Sequence, residues 1–155
     1  MTPGEFGLDE ITDRLAVVDL VNHYFAATDA KDWEAVADFY TDDATVWWNP
    51  QDSTTGRANI VGFTRAMLGT DEIVTYHHVG SFTPLIDGDT AEAPVRVRAM
   101  HHGVGSRTGR FWESLALQNT HLVRTHQGWR CRGYEWTVVV GLGSLDLFEG
   151  LRPQT

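Results

Sequence analysis

The chain has 155 residues, of which 42% are hydrophobic, so it can bury the core of one domain and is not disordered as a whole. Its formal net charge of −9 argues against a nucleic-acid partner, because proteins that bind the phosphate backbone usually carry a basic face. The single cysteine, Cys131, excludes an internal disulfide and gives no support to an oxidising compartment.

The N-terminal segment and the lengths of the apolar stretches indicate where in the cell the protein is expected. Residues 1–8 lack a basic segment followed by an apolar run, so we expect no signal peptide. No apolar stretch approaches the ~20 residues that a membrane-spanning helix needs. We therefore expect a cytoplasmic protein without a membrane partner, folded as one domain over residues 1–155, with a core of about 9–140 and a C-terminal tail of 141–155.

The first half of the chain predicts three helices. Apolar residues recur at helical spacing over residues 9–29, and Asp9 can cap the first turn of this predicted helix. A second helix is predicted at 32–40 and a third at 58–68. A strand at 44–49 and a polar loop at 50–56 lie between these two helices.

The second half predicts strands joined by glycine-bearing turns, at about 73–85, 90–102, 110–126 and 129–140. Helices followed by hairpins indicate an α+β domain, with three helices packed on one face of a curved antiparallel sheet. Such a sheet half-encloses an apolar space beneath the helices, and that space is the natural place for a ligand pocket.

Two pairs of adjacent histidines lie on predicted strands, His77 with His78 and His101 with His102. Because side chains alternate along a strand, one member of each pair faces the pocket and the other faces outward. We predict that His77 and His101 face inward.

The register of the hairpin around Gly88 supports this choice. A three-residue loop ending at Gly88 places His77 opposite Val97, whereas a two-residue loop places it opposite Arg98. We favour the first because His77 then shares a face with the apolar positions of the next strand. In that register His101 lies about 14 Å further along, too far for both rings to bind one ion, so we expect no metal site.

Four stretches carry a resemblance to a known family: Thr28–Trp33, Thr75–His78, Asn119–His121 and Gly141–Phe148. Their order and spacing, over most of the chain, resemble scytalone dehydratase. The chain is therefore similar to the SnoaL-like, scytalone-dehydratase-like group of the nuclear transport factor 2-like superfamily. That group implies a cone-shaped α+β barrel and includes cyclases, dehydrochlorinases, isomerases and non-catalytic modules.

The resemblance implies roles for particular side chains. Asp29 would orient His77, and His77 would act as the general base. The substrate-binding residues would be Tyr24, Trp48, Val97, His101 and Asn119. The dehydratase has tyrosines where this chain has Thr28 and Trp48, so we do not expect the same substrate to be dehydrated here.

Elementary chemistry supports the Asp29–His77 pair without the resemblance. Histidine is the usual general base near neutral pH, and a carboxylate on one ring nitrogen fixes its tautomer. Asp29 also lies near the C-terminal end of a predicted helix, where the macrodipole disfavours a carboxylate by ~0.3–1 kcal/mol. A residue that breaks a local rule in this way is a candidate for function.

These features predict a cofactor-independent lyase or cyclase, a dehydratase or polyketide-type cyclase, that abstracts a proton alpha to a carbonyl of a small aromatic or polycyclic substrate. Two alternatives stay open: a non-catalytic binding or assembly module, and a cofactor-free oxygenase. An intact Asp29–His77 hydrogen bond beside an open cavity would count against the first. The resemblance also implies a homodimer or homotrimer, with Trp112, Trp136 and residues 138–142 as contact surface.

Overall fold

A computed structural model describes residues 5–151 of the protein. The three α-helices are α1 (Leu8–Ala30), α2 (Trp33–Asp38) and α3 (Arg57–Leu68). The seven strands are β1 (Tyr40–Asn49), β2 (Asp52–Thr55), β3 (Ile73–Gly80), β4 (Leu85–Asp87), β5 (Thr90–Gly103), β6 (Phe111–Thr125) and β7 (Gly128–Gly143). Short 3-10 helices follow β5 and β7, at Gly105–Arg107 and Leu145–Phe148.

The strands form one curved sheet in the order β2-β1-β7-β6-β5-β3, with β4 beside β5. The predicted α+β cone with three helices is confirmed, although the sheet is open rather than closed into a barrel. β1 and β7 also run parallel, whereas every other pair is antiparallel. Nearly the whole domain separates these two strands in sequence, so no tight hairpin forces them to be antiparallel.

The core lies between the helices and the inner face of the sheet. α1 buries a stripe that includes Val17, Val21, Tyr24 and Phe25. These pack against alternate residues of β5, such as Val95 and Val97, which point inward because side chains alternate along a strand. The first turns of α1 extend beyond this core, and the apolar side chains there are exposed.

The register against β5 differs from the prediction by two residues for β3 and by three for β4. Asp87 pairs with Thr90, so the turn has two residues, of which Gly88 adopts a φ of 59°. β3 ends at Gly80, and residues 81–84 leave the ladder before β4 begins. As a result His77 pairs with Ala99 instead of Val97. A shift of two residues keeps every side chain of β3 on its predicted face.

Element boundaries account for the other differences. α2 ends at Asp38 and β1 already begins at Tyr40, so the predicted second helix is too long. The predicted loop at 50–56 contains β2, which pairs with β1 in a hairpin. Within residues 5–151, no helix has the length and apolar character needed to cross a membrane.

Candidate active site

A cavity of about 180 Å³ lies between the helices and the sheet. Its lining is mainly aromatic and aliphatic, with a few polar groups, which is typical of a small-molecule site. The lining residues are Tyr24, Phe25, Thr28, Trp48, Phe63, Thr64, Met67, Leu68, His77, Ala99, His101, Trp112, Ser114, Gln118, Tyr134, Trp136 and Phe148. A larger groove of about 630 Å³ elsewhere on the surface does not include His77, whereas the smaller cavity does, so the smaller cavity is the candidate site.

Hydrogen bonds join His77, which lines the cavity, to Asp29, which does not. Asp29 lies in the last turn of α1 and His77 in β3, which packs against that helix. The Nδ1 of His77 lies 2.7 Å from Oδ1 of Asp29. The same carboxylate accepts hydrogen bonds from the Thr75 hydroxyl at 2.9 Å and from the His77 backbone amide at 2.8 Å. These contacts compensate for placing a carboxylate at the negative end of the helix.

The charge of Asp29 fixes the tautomer of His77. Burial acts to raise the pKa of Asp29, but the contacts with His77 and the hydrogen bond from Thr75 outweigh it and hold the pKa below its ordinary value. An ionised carboxylate can only accept, so the Nδ1 of His77 must carry the hydrogen. In the neutral ring, Nε2 is then an unprotonated acceptor, which is the state that a general base requires.

His101 is the second histidine of the cavity, and it is 8% exposed. Its Nδ1 lies 3.2 Å from the backbone carbonyl oxygen of Trp112, which can only accept, so Nδ1 donates and Nε2 is an acceptor. Burial, and next the nearby charge of His77, lower the pKa of His101 to about 4. His101 is therefore a neutral hydrogen-bond acceptor at physiological pH.

The two inward histidines lie closer together than expected. Their ring centroids are 5.3 Å apart, with the rings edge to face. The expected offset of about 14 Å is wrong because His77 pairs with Ala99, which places His101 only two residues further along β5. Among the described residues, no group of three or more histidine, cysteine or acidic side chains is placed to hold a metal ion.

The predicted substrate-binding residues divide into two groups. Tyr24, Trp48 and His101 line the cavity. Val97 is buried on the same face but packs in the core and does not line the cavity. Asn119 is also outside it, because alternation along β6 turns its neighbour Gln118 towards the cavity, although both residues border a second groove.

Several cavity residues were not predicted as such. Trp112 and Trp136, which were expected at a subunit contact, line the cavity, and residues 138–142, expected at the same contact, are exposed. Gly141 makes room for the first of these indoles, since a Cβ there would lie 2.4 Å from the Trp112 ring. Tyr134 was missed because a lone tyrosine in a strand carries no signal that separates core from site.

Three tyrosine hydroxyls form a row beside the cavity. Tyr40 donates to the Tyr24 hydroxyl at 3.0 Å, and the hydroxyls of Tyr24 and Tyr134 lie 3.3 Å apart. Tyr24 and Tyr134 line the cavity, whereas Tyr40 lies behind them. Burial, as the main cause, raises the pKa of all three, so all three stay protonated at neutral pH.

The C-terminal segment closes one side of the cavity. Leu147 and Phe148 are buried, and the Phe148 ring lies edge-on to His101, with centroids 5.6 Å apart. The Arg107 guanidinium donates to the carbonyl oxygens of Leu147 and Glu149, at 2.7 and 3.2 Å, and so fixes the segment. The tail therefore contributes Phe148 to the cavity lining, and residues 152–155 of the predicted tail lie outside the described part of the chain.

Solved structures share this architecture. A proposed aromatic ring hydroxylase from Novosphingobium aromaticivorans superposes with a TM-score of 0.80 at 28% identity, covering 90% of this chain and 98% of that one. A proposed scytalone dehydratase from the same organism gives a TM-score of 0.79 at 18% identity, with 87% and 89% covered. Hexachlorocyclohexane dehydrochlorinase LinA-type3 from Novosphingobium barchaimii gives 0.76 at 14% identity, with 89% and 94% covered. The second and third likenesses concern the fold alone.

The expected SnoaL-like family is confirmed by a family model. No match to the chain was found among the curated proteins. The model of the SnoaL-like domain matches residues 9–135, which is well over half of the chain. The chain therefore belongs to the SnoaL-like domain family.

Proposed function

We propose that the protein is a cofactor-independent, lyase-type enzyme in which His77 removes a proton from a carbon alpha to a carbonyl. The observation that carries this proposal is the 2.7 Å contact between Nδ1 of His77 and Oδ1 of Asp29, beside a cavity of about 180 Å³. This contact leaves Nε2 of His77 free to accept a proton from a bound substrate. The intact pair beside the cavity counts against a purely structural module.

The proposed reaction begins with proton transfer to Nε2 of His77. The C–H bond breaks, its electron pair forms an enolate, and the positive charge on the imidazolium lies against the Asp29 carboxylate. Loss of a leaving group from the next carbon would complete an elimination, and attack on a second carbonyl would close a ring. Because His101 stays neutral with a pKa of about 4, the proton returned to the leaving group comes from His77.

The dimensions and charge of the cavity narrow the substrate class. A cavity of ~150 Å³ holds one benzene molecule, so about 180 Å³ suits a one-ring compound better than a polycyclic one. None of the residues that line the cavity is a lysine or an arginine, so no cation is present there to pair with a carboxylate or phosphate. These properties support a compact, uncharged cyclic ketone or phenol.

Hydrogen–deuterium exchange tests the proposal directly. One-ring ketones with enolisable positions are incubated with the protein in D₂O, and exchange is followed by proton NMR. We expect exchange alpha to the carbonyl to be faster than the buffer rate for at least one compound, because His77 supplies a positioned base. Compounds that bind without any enhanced exchange would contradict the proposal and support a binding module.

A second candidate function is cofactor-free oxygenation of a phenol. It is favoured by one observation, the 28% identity to the proposed aromatic ring hydroxylase. His77 would then remove the phenolic proton, and the resulting electron-rich anion would react with molecular oxygen. Oxygen consumption in the same incubations, measured with an electrode, separates this reaction from elimination, which consumes none.

A further inference from the structure

The end of the cavity away from His77 carries polar groups that proton abstraction does not use. We call this the distal end, and define it by Tyr24, Tyr134 and Gln118. Ser114 pairs with Ala99, the ladder partner of His77, and Gln118 lies four residues further along β6. At ~3.4 Å per residue, the two ends are separated by about 14 Å of backbone.

The row of tyrosines leaves one donor free. Three hydroxyls supply three hydrogens, but the two contacts between them, Tyr40 to Tyr24 and Tyr24 with Tyr134, use only two. Tyr40 donates its hydroxyl hydrogen to Tyr24. Either Tyr24 or Tyr134 donates in the second contact, so the other one of these two keeps an unused hydroxyl hydrogen. Both of these side chains line the cavity. The distal end therefore offers one O–H donor to a ligand.

Gln118 adds an acceptor beside this donor. The residue is only 1% exposed, and its Nε2 donates to the Thr120 hydroxyl at 3.0 Å. Its Oε1 is buried without a hydrogen-bond partner among residues 5–151. A buried polar atom without a partner costs about 1–3 kcal/mol, so a ligand that satisfies it gains affinity. Thr120 pairs with Tyr134 across the ladder, which places this amide alongside the row of tyrosines.

We propose that the distal end is a subsite for a neutral hydroxyl group of the substrate. A hydroxyl accepts one hydrogen bond and donates another, which complements the free tyrosine O–H and the Gln118 Oε1. This inference rests on the proposed function for the other end, where a carbonyl-activated C–H lies against His77. A one-ring ketone with a hydroxyl para to the carbonyl has a suitable length for the separation between the two ends. Hydrogen-bond or proton-transfer contacts of about 3 Å at each end make up the rest of that separation.

Binding of two matched probes tests the subsite without requiring catalysis. The probes are 4-hydroxyacetophenone and acetophenone, which differ only in the distal hydroxyl, and their dissociation constants are measured by NMR titration. We expect the hydroxyl to improve binding to the wild-type protein about tenfold, because two buried hydrogen bonds are gained against the loss of hydration. Equal affinities would overturn the proposal.

Variants assign the contacts. Gln118→Met keeps the shape of the side chain and should abolish most of the preference for the hydroxyl probe, whereas Asn119→Leu, on the other face of β6, should retain it. At least one of Tyr24→Phe and Tyr134→Phe should reduce the preference, and Tyr40→Phe, behind the cavity wall, should not. A preference unchanged in Gln118→Met and in both cavity tyrosine variants would contradict the subsite.

A measurement on the wild-type protein tests the subsite even if some of these variants fail to fold. Nuclear Overhauser contacts are recorded from the ring protons beside the hydroxyl of the bound probe. We expect contacts to Tyr134 and Gln118, while contacts to His101 or Phe148 would show the reverse orientation and overturn the proposal. Loss of exchange without loss of this binding pattern would reject the His77 mechanism alone, so the two proposals fail separately.

Discussion

Replacing His77 with alanine is expected to lower the rate of alpha-proton exchange by about 10²–10⁴-fold, the usual contribution of a positioned general base. The ring is held by Asp29 through Nδ1 and packs beside Phe25, with centroids 5.3 Å apart, so its orientation is fixed before substrate binds. Alanine at this position removes the base that Asp29 orients. The rate is measured by proton NMR in D₂O on the most active ketone.

The matched control is His78→Ala. His78 is the next residue of β3, it is exposed on the opposite face, and it should leave the exchange rate unchanged. Asp29→Asn should also slow exchange, because an amide keeps the shape of the side chain but cannot neutralise the imidazolium that forms. Equal rates in the wild-type protein and in His77→Ala would exclude His77 as the base.

Protonation of His101 in acid is expected to lower the free energy of unfolding by about 3 kcal/mol. Burial lowers the pKa of His101 to about 4 in the folded chain, whereas the ordinary value, 6.5, applies when the chain unfolds. The unfolded chain therefore binds a proton more readily between these two values, and acid favours unfolding. The contribution of neutral His101 to the free energy of unfolding is complete above about pH 6.5 and is lost as the pH falls through about 4. At ~1.36 kcal/mol per pKa unit, the lowered pKa corresponds to about 3 kcal/mol.

Urea unfolding of the wild-type protein and of His101→Gln at several pH values measures this effect. Glutamine does not titrate, so the free energy of unfolding of the variant should fall less between about pH 6.5 and pH 4, by about 3 kcal/mol. The carboxylates, including Asp29, titrate in both proteins and cancel in the difference. Parallel pH profiles for the two proteins would mean that His101 titrates normally in the folded state.

The faces of the strands could be predicted from the sequence, but the register could not. The apolar alternation of β5 placed His77 and His101 inward, and a two-residue shift preserves that result. The register depends on the irregular segment 81–84, where Ser81 adopts a φ of 54°. No residue type in that segment signals a positive φ, so the sequence did not show that β3 ends before the turn.

The inward face of β6 was harder to predict because both of its faces are apolar. Leu115 and Leu117 lie on the exposed face, and Ala116 and Leu122 on the buried one. Alternation therefore gave no clear choice of the inward residue, and the resemblance to the dehydratase favoured Asn119, which does not line the cavity, over its neighbour Gln118, which does. The amide oxygens of both residues are buried without a partner among residues 5–151, so only the position of Gln118 in the cavity lining, which requires the folded chain, separates them.

Asp29 illustrates what a local conflict in the sequence can reveal. Its position near the end of a predicted helix indicated an electrostatically unfavourable carboxylate, and α1 does end one residue later, at Ala30. Its compensation comes from Thr75 and His77, which are 46 and 48 residues away in sequence. The sequence could therefore indicate the residue, but the number and direction of its hydrogen bonds required the packing of β3 on the helix.

The most direct test of this account is the tautomeric state of His77, because it requires no knowledge of the substrate. Nitrogen-15 NMR of histidine-labelled protein distinguishes the protonated from the unprotonated nitrogen of a neutral imidazole ring. Comparison with His77→Ala assigns the signals. The account predicts a hydrogen on Nδ1, bonded to Asp29, and an unprotonated Nε2 facing the cavity. A hydrogen on Nε2 in the neutral ring would leave His77 without the lone pair that the proposed proton transfer needs, and would contradict it.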